Sequence, residues 1–164
     1  MTRHISSTSR SLIRRALRED IGRGDITADR LIPSGLTGKA YIEAKAAGVL
    51  AGGQVVVEVF RSVDQRLKVV ARASDGARVR KGQKVFSIHG RARSILKAER
   101  VALNFLSHLS GVATLTKQFV EQVRGTGVQI FDTRKTTPLW RELEKQAVRA
   151  GGGYSLALKN DGTV

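Results

Sequence analysis

The sequence lacks several features that define common classes of protein. It contains no cysteine, which excludes disulfides, thiolate metal sites and cysteine nucleophiles. No run of about 18 apolar residues is present, so no membrane-spanning helix is predicted. The first twenty residues have no apolar core of the kind that a secretory signal requires. These absences predict a globular protein in the reducing environment of the cytoplasm.

Acidic residues are scarce relative to basic ones. The 164 residues include 29 Lys and Arg but only 14 Asp and Glu, which gives a formal net charge of +15. Such an excess indicates a substrate or partner that carries several negative charges. Nucleic acid is not favoured, because aromatic residues make up only 5% of the chain and no helix-turn-helix, zinc-finger or RNA-recognition motif is present. A basic nucleic-acid-binding module is therefore kept only as an alternative.

Four segments have the apolar periodicity of amphipathic helices. They are residues 11–22, 93–114, 114–127 and 139–153. Gly111 stands near the end of the second segment, where a helix C-cap is expected. In the fourth segment, Leu139, Leu143 and Ala147 form the predicted apolar stripe. His108 has no carboxylate or histidine at the spacing of a metal site, and we interpret it as structural or solvated.

Strands are predicted between the first and second of these helices. The predicted strands are residues 38–53 (one strand or a bent pair), 66–73 and 84–90. Residues 54–63 are ambiguous, because their β-branched run favours a strand while the preceding glycines allow a short helix. The glycine and valine spacing over residues 73–90 is typical of biotinyl and lipoyl carrier domains. Because no modifiable lysine stands at a hairpin tip, a hammerhead-like β fold without the modification is predicted.

A polar loop with two adjacent cations follows a short apolar segment. Residues 128–131 are predicted to form a strand, and the sequence DTRKTTP follows at 132–138. In parallel α/β units, ligands bind at the carboxyl ends of the strands. The Arg134 guanidinium can bind a carboxylate through two N–H groups, and Lys135 adds a compact ammonium group. The loop is therefore a candidate anion site, with a solvated basic loop as the alternative.

Four sequence motifs, taken together with their order and spacing, resemble those of a known family. They are GDIT at 24–27, ERVALNFLSHLSGVAT at 99–114, DTRKTTP at 132–138 and RELEKQAVRAGGG at 141–153. In this order and spacing they resemble the quinolinate phosphoribosyltransferase family. The resemblance implies an α/β protein with two domains. Residues 1–110 would form an α+β N-terminal sandwich with a hammerhead-like part, and residues 111–164 the beginning of an incomplete α/β barrel.

The resemblance also implies a function in NAD biosynthesis. Family members are transferases that join quinolinate to phosphoribosyl pyrophosphate, with Mg²⁺, and release nicotinate mononucleotide, CO2 and pyrophosphate. It implies that Thr133, Arg134 and Lys135 bind the pyridine dicarboxylate. Arg100 would reach across a homodimer interface into the partner's site. The resemblance assigns no catalytic residue and no metal ligand to this chain, since the acidic Mg²⁺ ligands of the family lie in a part that it lacks.

The resemblance stops after Ser155. Where the family has a His-Arg pair after the triple glycine, this chain has Leu156 and Ala157. A C-terminally truncated chain that is inactive alone is therefore expected, through a frameshift, a gene break or fragmentation. The predicted strand at 128–131 would then have no later barrel strand to pair with. A non-catalytic remnant and a molybdenum-transport-associated paralogue are the alternatives with the same fold.

Overall fold

The computed structural model describes residues 5–22, 24 and 30–155. Helices and strands are interspersed in this part of the chain. Their bounds are α1 Ser7–Ile21, β1 Thr37–Glu43, β2 Gly48–Val49, α2 Gly53–Val63, β3 Lys68–Ala71, β4 Arg78–Val79, β5 Lys84–Arg91, α3 Ala92–Gln122 and α4 Arg141–Ala150. Most of the GDIT motif lies outside the described residues, as do Leu156 and Ala157.

A three-stranded antiparallel sheet lies at the centre of the N-terminal part. Its strand order is β1-β5-β3, so that β5 pairs on both sides. Helix α3 packs against β1 and β5 and against α2. The core between the sheet and the helices contains large, fully buried side chains, among them Phe60, Phe86, Ile88 and Phe105. The helices thus form a second layer on the sheet, which is a two-layer α/β sandwich.

The ambiguous segment at residues 54–63 belongs to helix α2. Its buried residues are Val55, Val56, Val59 and Phe60, which lie on one face at helical spacing. The Asp75 carboxylate accepts hydrogen bonds from Gly53 N–H at 2.9 Å and Gly52 N–H at 3.2 Å, at the N-terminus of this helix. A carboxylate there binds the free N–H groups and is favoured by the helix dipole. This distant cap and the apolar face together outweigh the strand preference of the valines.

One helix of 31 residues, α3, replaces the two helices predicted over residues 93–127. Gly111 lies inside α3 and is exposed, so its interpretation as a C-cap is wrong. Buried side chains continue beyond it with Ala113 and Thr116. The helix therefore keeps an inward face along both halves of its length, and a single glycine does not interrupt it.

A small two-stranded sheet, β2 with β4, lies beside α3. Val49 N–H donates to Thr114 Oγ1 at 2.9 Å, and Ala51 N–H donates to Ser110 Oγ at 3.1 Å. Side chains of the helix thus satisfy backbone groups along the edge of β2 that another strand would otherwise pair. Gly48 permits this approach, because a Cβ there would lie 2.7 Å from Thr114 Oγ1.

The apolar segment at residues 128–131 forms a minimal parallel pairing with the chain after α4. Phe131 bridges to Tyr154, Tyr154 N–H donates to the Ile130 carbonyl at 2.8 Å, and Asp132 N–H donates to the Tyr154 carbonyl at 3.0 Å. Residues 128–131 therefore do not form the predicted strand, and among the described residues no later strand lies beside them. The chain around Tyr154 supplies the neighbour, although the pairing spans one bridge rather than a full strand.

Helix α4 begins later than predicted. Leu143 and Ala147 are buried, as their spacing predicts. Leu139, however, is 62% exposed and has a φ of 70°, in the loop that precedes the helix. A leucine in left-handed backbone is strained, so the tertiary structure around the loop maintains this conformation. The placement of Leu139 in the apolar stripe was wrong.

The triple glycine after α4 allows that helix to end directly against α3. A Cβ on Gly151 would lie 2.4 Å from the Ala113 carbonyl oxygen and 2.7 Å from Thr116 Cβ. A Cβ on Gly153 would lie 2.8 Å from Thr116 Cγ2. Because one of these neighbours is helix backbone, a side chain at residue 151 requires the two helices to separate.

Gly151→Ala and Gly111→Ala are expected to change stability in opposite directions. Gly151→Ala overpacks the α3–α4 contact and lowers the free energy of unfolding by about 1–3 kcal/mol. Gly111→Ala enters open space inside α3, where alanine favours the helix by about 0.5–1 kcal/mol. Urea unfolding of both variants checks this. Equal stabilities would contradict the close approach at Gly151.

Candidate functional site

The predicted substrate residues Thr133, Arg134 and Lys135 lie together in one exposed loop. We call residues 132–138 the TRK loop; it leads from the Phe131 bridge to α4. Lys135 N–H donates to Thr133 Oγ1 at 3.1 Å, and Thr136 N–H donates to the Arg134 carbonyl at 3.0 Å. These bonds fold the loop into tight turns. The loop thus presents two exposed, adjacent cationic residues to solvent.

Arg100 lies on a different element, the solvent-facing side of α3. Its side chain is 73% exposed, and Nη1 lies 3.0 Å from Asp20 Oδ1 at the end of α1. Leu96 and Leu103, about one turn to either side, are also exposed. The structure therefore gives Arg100 a partner on α1 and does not join it to the TRK loop. Arg100 marks a second surface, which combines a cation with apolar neighbours.

A buried ion pair fixes the first residue of the TRK loop. Lys145 Nζ lies 2.8 Å from Asp132 Oδ1, and the two side chains are only 5% and 6% exposed. Ser155 Oγ donates to the other carboxylate oxygen of Asp132 at 2.8 Å. Burial of both charges is costly unless they remain paired and hydrogen-bonded. The start of the loop is therefore held against α4.

A second carboxylate holds the other end of the loop. Thr137 N–H donates to Glu144 Oε2 at 3.2 Å, and His108 Nε2 lies 2.8 Å from Glu144 Oε1. Partial burial favours the protonated acid, but the hydrogen bonds from Thr137 and His108 outweigh it and lower the pKa of Glu144. The Trp140 ring meets the edge of His108 at 4.8 Å and stacks on Phe105 at 4.5 Å. His108 thus has a structural contact, with a partner on another helix.

Glu144 and Lys145 were not identified from the sequence as residues that hold the loop. The one available signal was Lys145 itself, which lies between Leu143 and Ala147 on the predicted helix. Lysine is almost never fully buried unless it is paired, so a lysine near an apolar stripe suggests a buried carboxylate partner. Which carboxylate that would be could not be read from the sequence.

Two depressions on the described surface lie away from Arg100 and the TRK loop. One depression is lined by residues from the end of α3 to Ile130 and by Gly152 and Tyr154, and a second is lined by residues of α1 and α2 and by Gln65. Neither includes Arg100 or a residue of the TRK loop. In the described part of the chain, no group of three or more His, Asp or Glu could hold a metal ion.

None of the described helices combines the length and apolar character needed to cross a bilayer. The described fold and the TRK loop define a class: an α/β protein that presents a cationic loop after an apolar segment, which bridges to the chain beyond α4. Two family models match the chain, the N-terminal domain of quinolinate phosphoribosyl transferase at residues 25–110 and its C-terminal domain at residues 112–163. The chain belongs to the quinolinate phosphoribosyl transferase family.

Similar proteins of known sequence support this assignment. A probable nicotinate-nucleotide pyrophosphorylase [carboxylating] of Bacillus subtilis is 42% identical over 137 residues, which cover 84% of this chain and 47% of that protein. A nicotinate-nucleotide pyrophosphorylase [carboxylating] of Mycobacterium leprae is 43% identical over 150 residues, which cover 90% of this chain and 53% of that protein. The chain thus spans about half the length of the curated relatives it matches.

A solved structure shows the same fold. NadC from Streptococcus pyogenes superposes with a TM-score of 0.91 and 40% sequence identity, over 97% of this chain and 56% of that chain. This confirms the predicted fold class, an N-terminal sandwich followed by the start of a barrel domain. The predicted division at residues 110 and 111 falls inside α3 and stays a prediction.

Lys145→Met is expected to lower the free energy of unfolding by about 3–5 kcal/mol, because it removes the cation beside a buried carboxylate. The additional change Asp132→Asn should recover part of this loss, since it removes the buried negative charge. Lys45→Met is the matched control: Lys45 is 86% exposed and 3.3 Å from Glu43, so about 0–1 kcal/mol is expected. Urea unfolding of each variant measures these changes in the free energy of unfolding. Equal losses for Lys145→Met and Lys45→Met would show that the Asp132–Lys145 pair is not buried.

Arg100→Ala is expected to change the free energy of unfolding by no more than about 1 kcal/mol, because its ion pair with Asp20 is exposed. Asp20→Ala removes the same pair from the other side and should have a similar effect. Thermal or urea unfolding of both variants measures this. A loss of several kcal/mol for Arg100→Ala alone would give Arg100 a structural role instead.

Proposed function

We propose that this chain supplies the N-terminal domain and the beginning of the barrel domain of a quinolinate phosphoribosyltransferase. Its relatives are named as carboxylating nicotinate-nucleotide pyrophosphorylases and decarboxylating quinolinate phosphoribosyltransferases. The reaction joins quinolinate to phosphoribosyl pyrophosphate and gives nicotinate mononucleotide, CO2 and pyrophosphate. Because the chain spans about half of these relatives, the full reaction is proposed for the whole family protein. For this chain we propose the binding of quinolinate.

The observation that carries this proposal is the exposed Arg134–Lys135 pair in a loop whose two ends are fixed. Quinolinate carries two carboxylates on adjacent ring carbons. The planar guanidinium of Arg134 suits one carboxylate through two parallel hydrogen bonds, and the ammonium of Lys135 suits the other. The hydroxyl of Thr133 adds a further donor to this binding site. When CO2 leaves, an electron pair remains on the ring, and adjacent positive charge stabilises it.

Arg100 is proposed to serve the site of a partner subunit in a homodimer. Its exposure, and the exposed Leu96 and Leu103 beside it, support a role at a protein interface rather than in the fold of its own chain. The Mg²⁺ requirement stays a prediction, and no step is assigned to the metal. The cytoplasmic location also stays a prediction, since the plant relatives include forms named as mitochondrial and chloroplastic.

Titration of the chain with quinolinate, followed by amide chemical shifts in NMR, tests the proposal. We expect the largest shifts at Thr133, Arg134 and Lys135. Arg134→Ala should weaken binding by about tenfold or more, as is typical for the loss of a hydrogen bond between charged groups. Arg124→Ala is the matched control, because Arg124 is also exposed but lies in the turn after α3.

Two ligands separate specific from general attraction. Nicotinate has one carboxylate, so it should bind more weakly than quinolinate if both cations are used. Chloride at the same ionic strength should cause no localised shifts. Uniform small shifts over the basic surface, or equal affinity of the wild type and Arg134→Ala, would contradict the proposed site.

A further inference from the structure

We propose that Glu144 and Lys145, adjacent residues of α4, are positioning residues that clamp the two ends of the TRK loop and so present Arg134 and Lys135 to an anionic substrate. The identity of that substrate rests on the proposed function. The clamp itself rests on contacts within the chain, and it assigns a role to two residues outside the proposed anion site.

The clamp on the first end of the loop lies beneath the surface. Lys145 Nζ reaches Asp132 Oδ1 at 2.8 Å, with both side chains about 95% buried. A buried lysine and aspartate that lose contact each lose a charged partner in a medium of low polarity. Asp132 therefore stays at this position, and with it the point where the chain leaves the Phe131 bridge.

The clamp on the second end lies nearer the surface. Glu144 Oε2 accepts the backbone N–H of Thr137 at 3.2 Å, so the contact fixes main chain rather than a side chain. The other oxygen, Oε1, lies 2.8 Å from His108 Nε2 on α3. Glu144 is thus held by a second helix while it holds the loop. A rotation of its side chain would break both contacts together.

Adjacent positions on one helix suit this arrangement. Consecutive residues of an α-helix point about 100° apart, so one can face inward while the next faces along the surface. Lys145 takes the buried direction toward Asp132, and Glu144 takes the outer direction toward Thr137 and His108. The same short piece of α4 therefore fixes both ends of a seven-residue loop.

Two features of the loop oppose a single fixed conformation unless other contacts hold it. Arg134 and Lys135 are adjacent like charges on exposed side chains, and their repulsion favours open loop conformations. Leu139, just beyond the loop, has a φ of 70°, which is unfavourable for leucine and persists only where surrounding contacts enforce it. Fixed loop ends reduce the conformational entropy that binding must remove, so an anion meets a preorganised pair of cations.

Amide hydrogen exchange of Thr137, measured by NMR in the 164-residue chain, tests the clamp without any ligand. Glu144→Ala should raise the Thr137 exchange rate by about tenfold or more, because the N–H loses a charged acceptor. Glu144→Gln should raise it less, since the amide oxygen can still accept. Amides of Phe86 and Ile88 in β5 should keep their wild-type rates, and the exposed control Glu99→Ala should leave Thr137 unchanged.

Two outcomes would overturn the proposal. One is a wild-type exchange rate for Thr137 in both Glu144 variants; the other is a proportional rise at Phe86 and Ile88, which reports global rather than loop opening. If Glu144→Ala does not fold, Glu144→Gln decides by the same criteria. Quinolinate added to the same samples separates the two proposals. If the wild type does not bind quinolinate but the Thr137 amide exchanges faster in Glu144→Ala, the clamp is supported and the proposed substrate is wrong.

Discussion

The continuous inward face of α3 is the constraint on which both parts of the molecule depend. At 1.5 Å per residue, the helix is about 46 Å long, and its buried side chains run from Ile95 to Thr116. Its first half closes the sandwich over β1 and β5, whereas its second half receives α4. At that second contact, Gly151 would place a Cβ 2.4 Å from the Ala113 carbonyl oxygen. The position of α4, and of the exposed loop attached to it, therefore depends on a contact between a glycine and a helix backbone.

Local patterns in the sequence determined most of the elements but not their limits. The periodicity of residues 93–127 correctly predicted helix, yet Gly111 alone suggested an end. The helix continues because Ala113 and Thr116 remain buried beyond it, and tertiary burial outweighs the modest cost of one exposed glycine. Residues 54–63 could not be assigned for a related reason. Their helix is capped by Asp75, which lies 22 residues beyond Gly53, and no local pattern reports that contact.

The site shows the same division between local and distant information. The TRK loop was predictable because two cations and three threonines follow an apolar segment, and all of these are neighbours in sequence. The residues that hold the loop were not predictable, because His108 meets Glu144 across 36 positions and Thr137 meets it across seven. The contact between His108 and Glu144 forms only when α4 packs on α3. A residue's own neighbours in sequence therefore reveal the candidate anion-binding groups but not the residues that hold them in place.

The placement of the carboxylates explains why the surface of the TRK loop is cationic although two carboxylates contact the loop. Several described carboxylates are engaged in the fold itself. Asp75 caps α2, and the hydrogen bond from the Arg66 side chain, with others from the Arg66 backbone and Ser94, holds the pKa of Asp64 well below its ordinary value. Asp132, the first residue of the TRK loop, faces Lys145, and Glu144, which contacts the other end of the loop, faces His108; both carboxylates are largely shielded from solvent. The charge of Asp132 is therefore balanced by Lys145 inside the structure and Glu144 is turned away from solvent, while Arg134 and Lys135 remain on the surface. The resulting local potential favours an anionic ligand, and it arises from where the carboxylates are placed as much as from the number of cations.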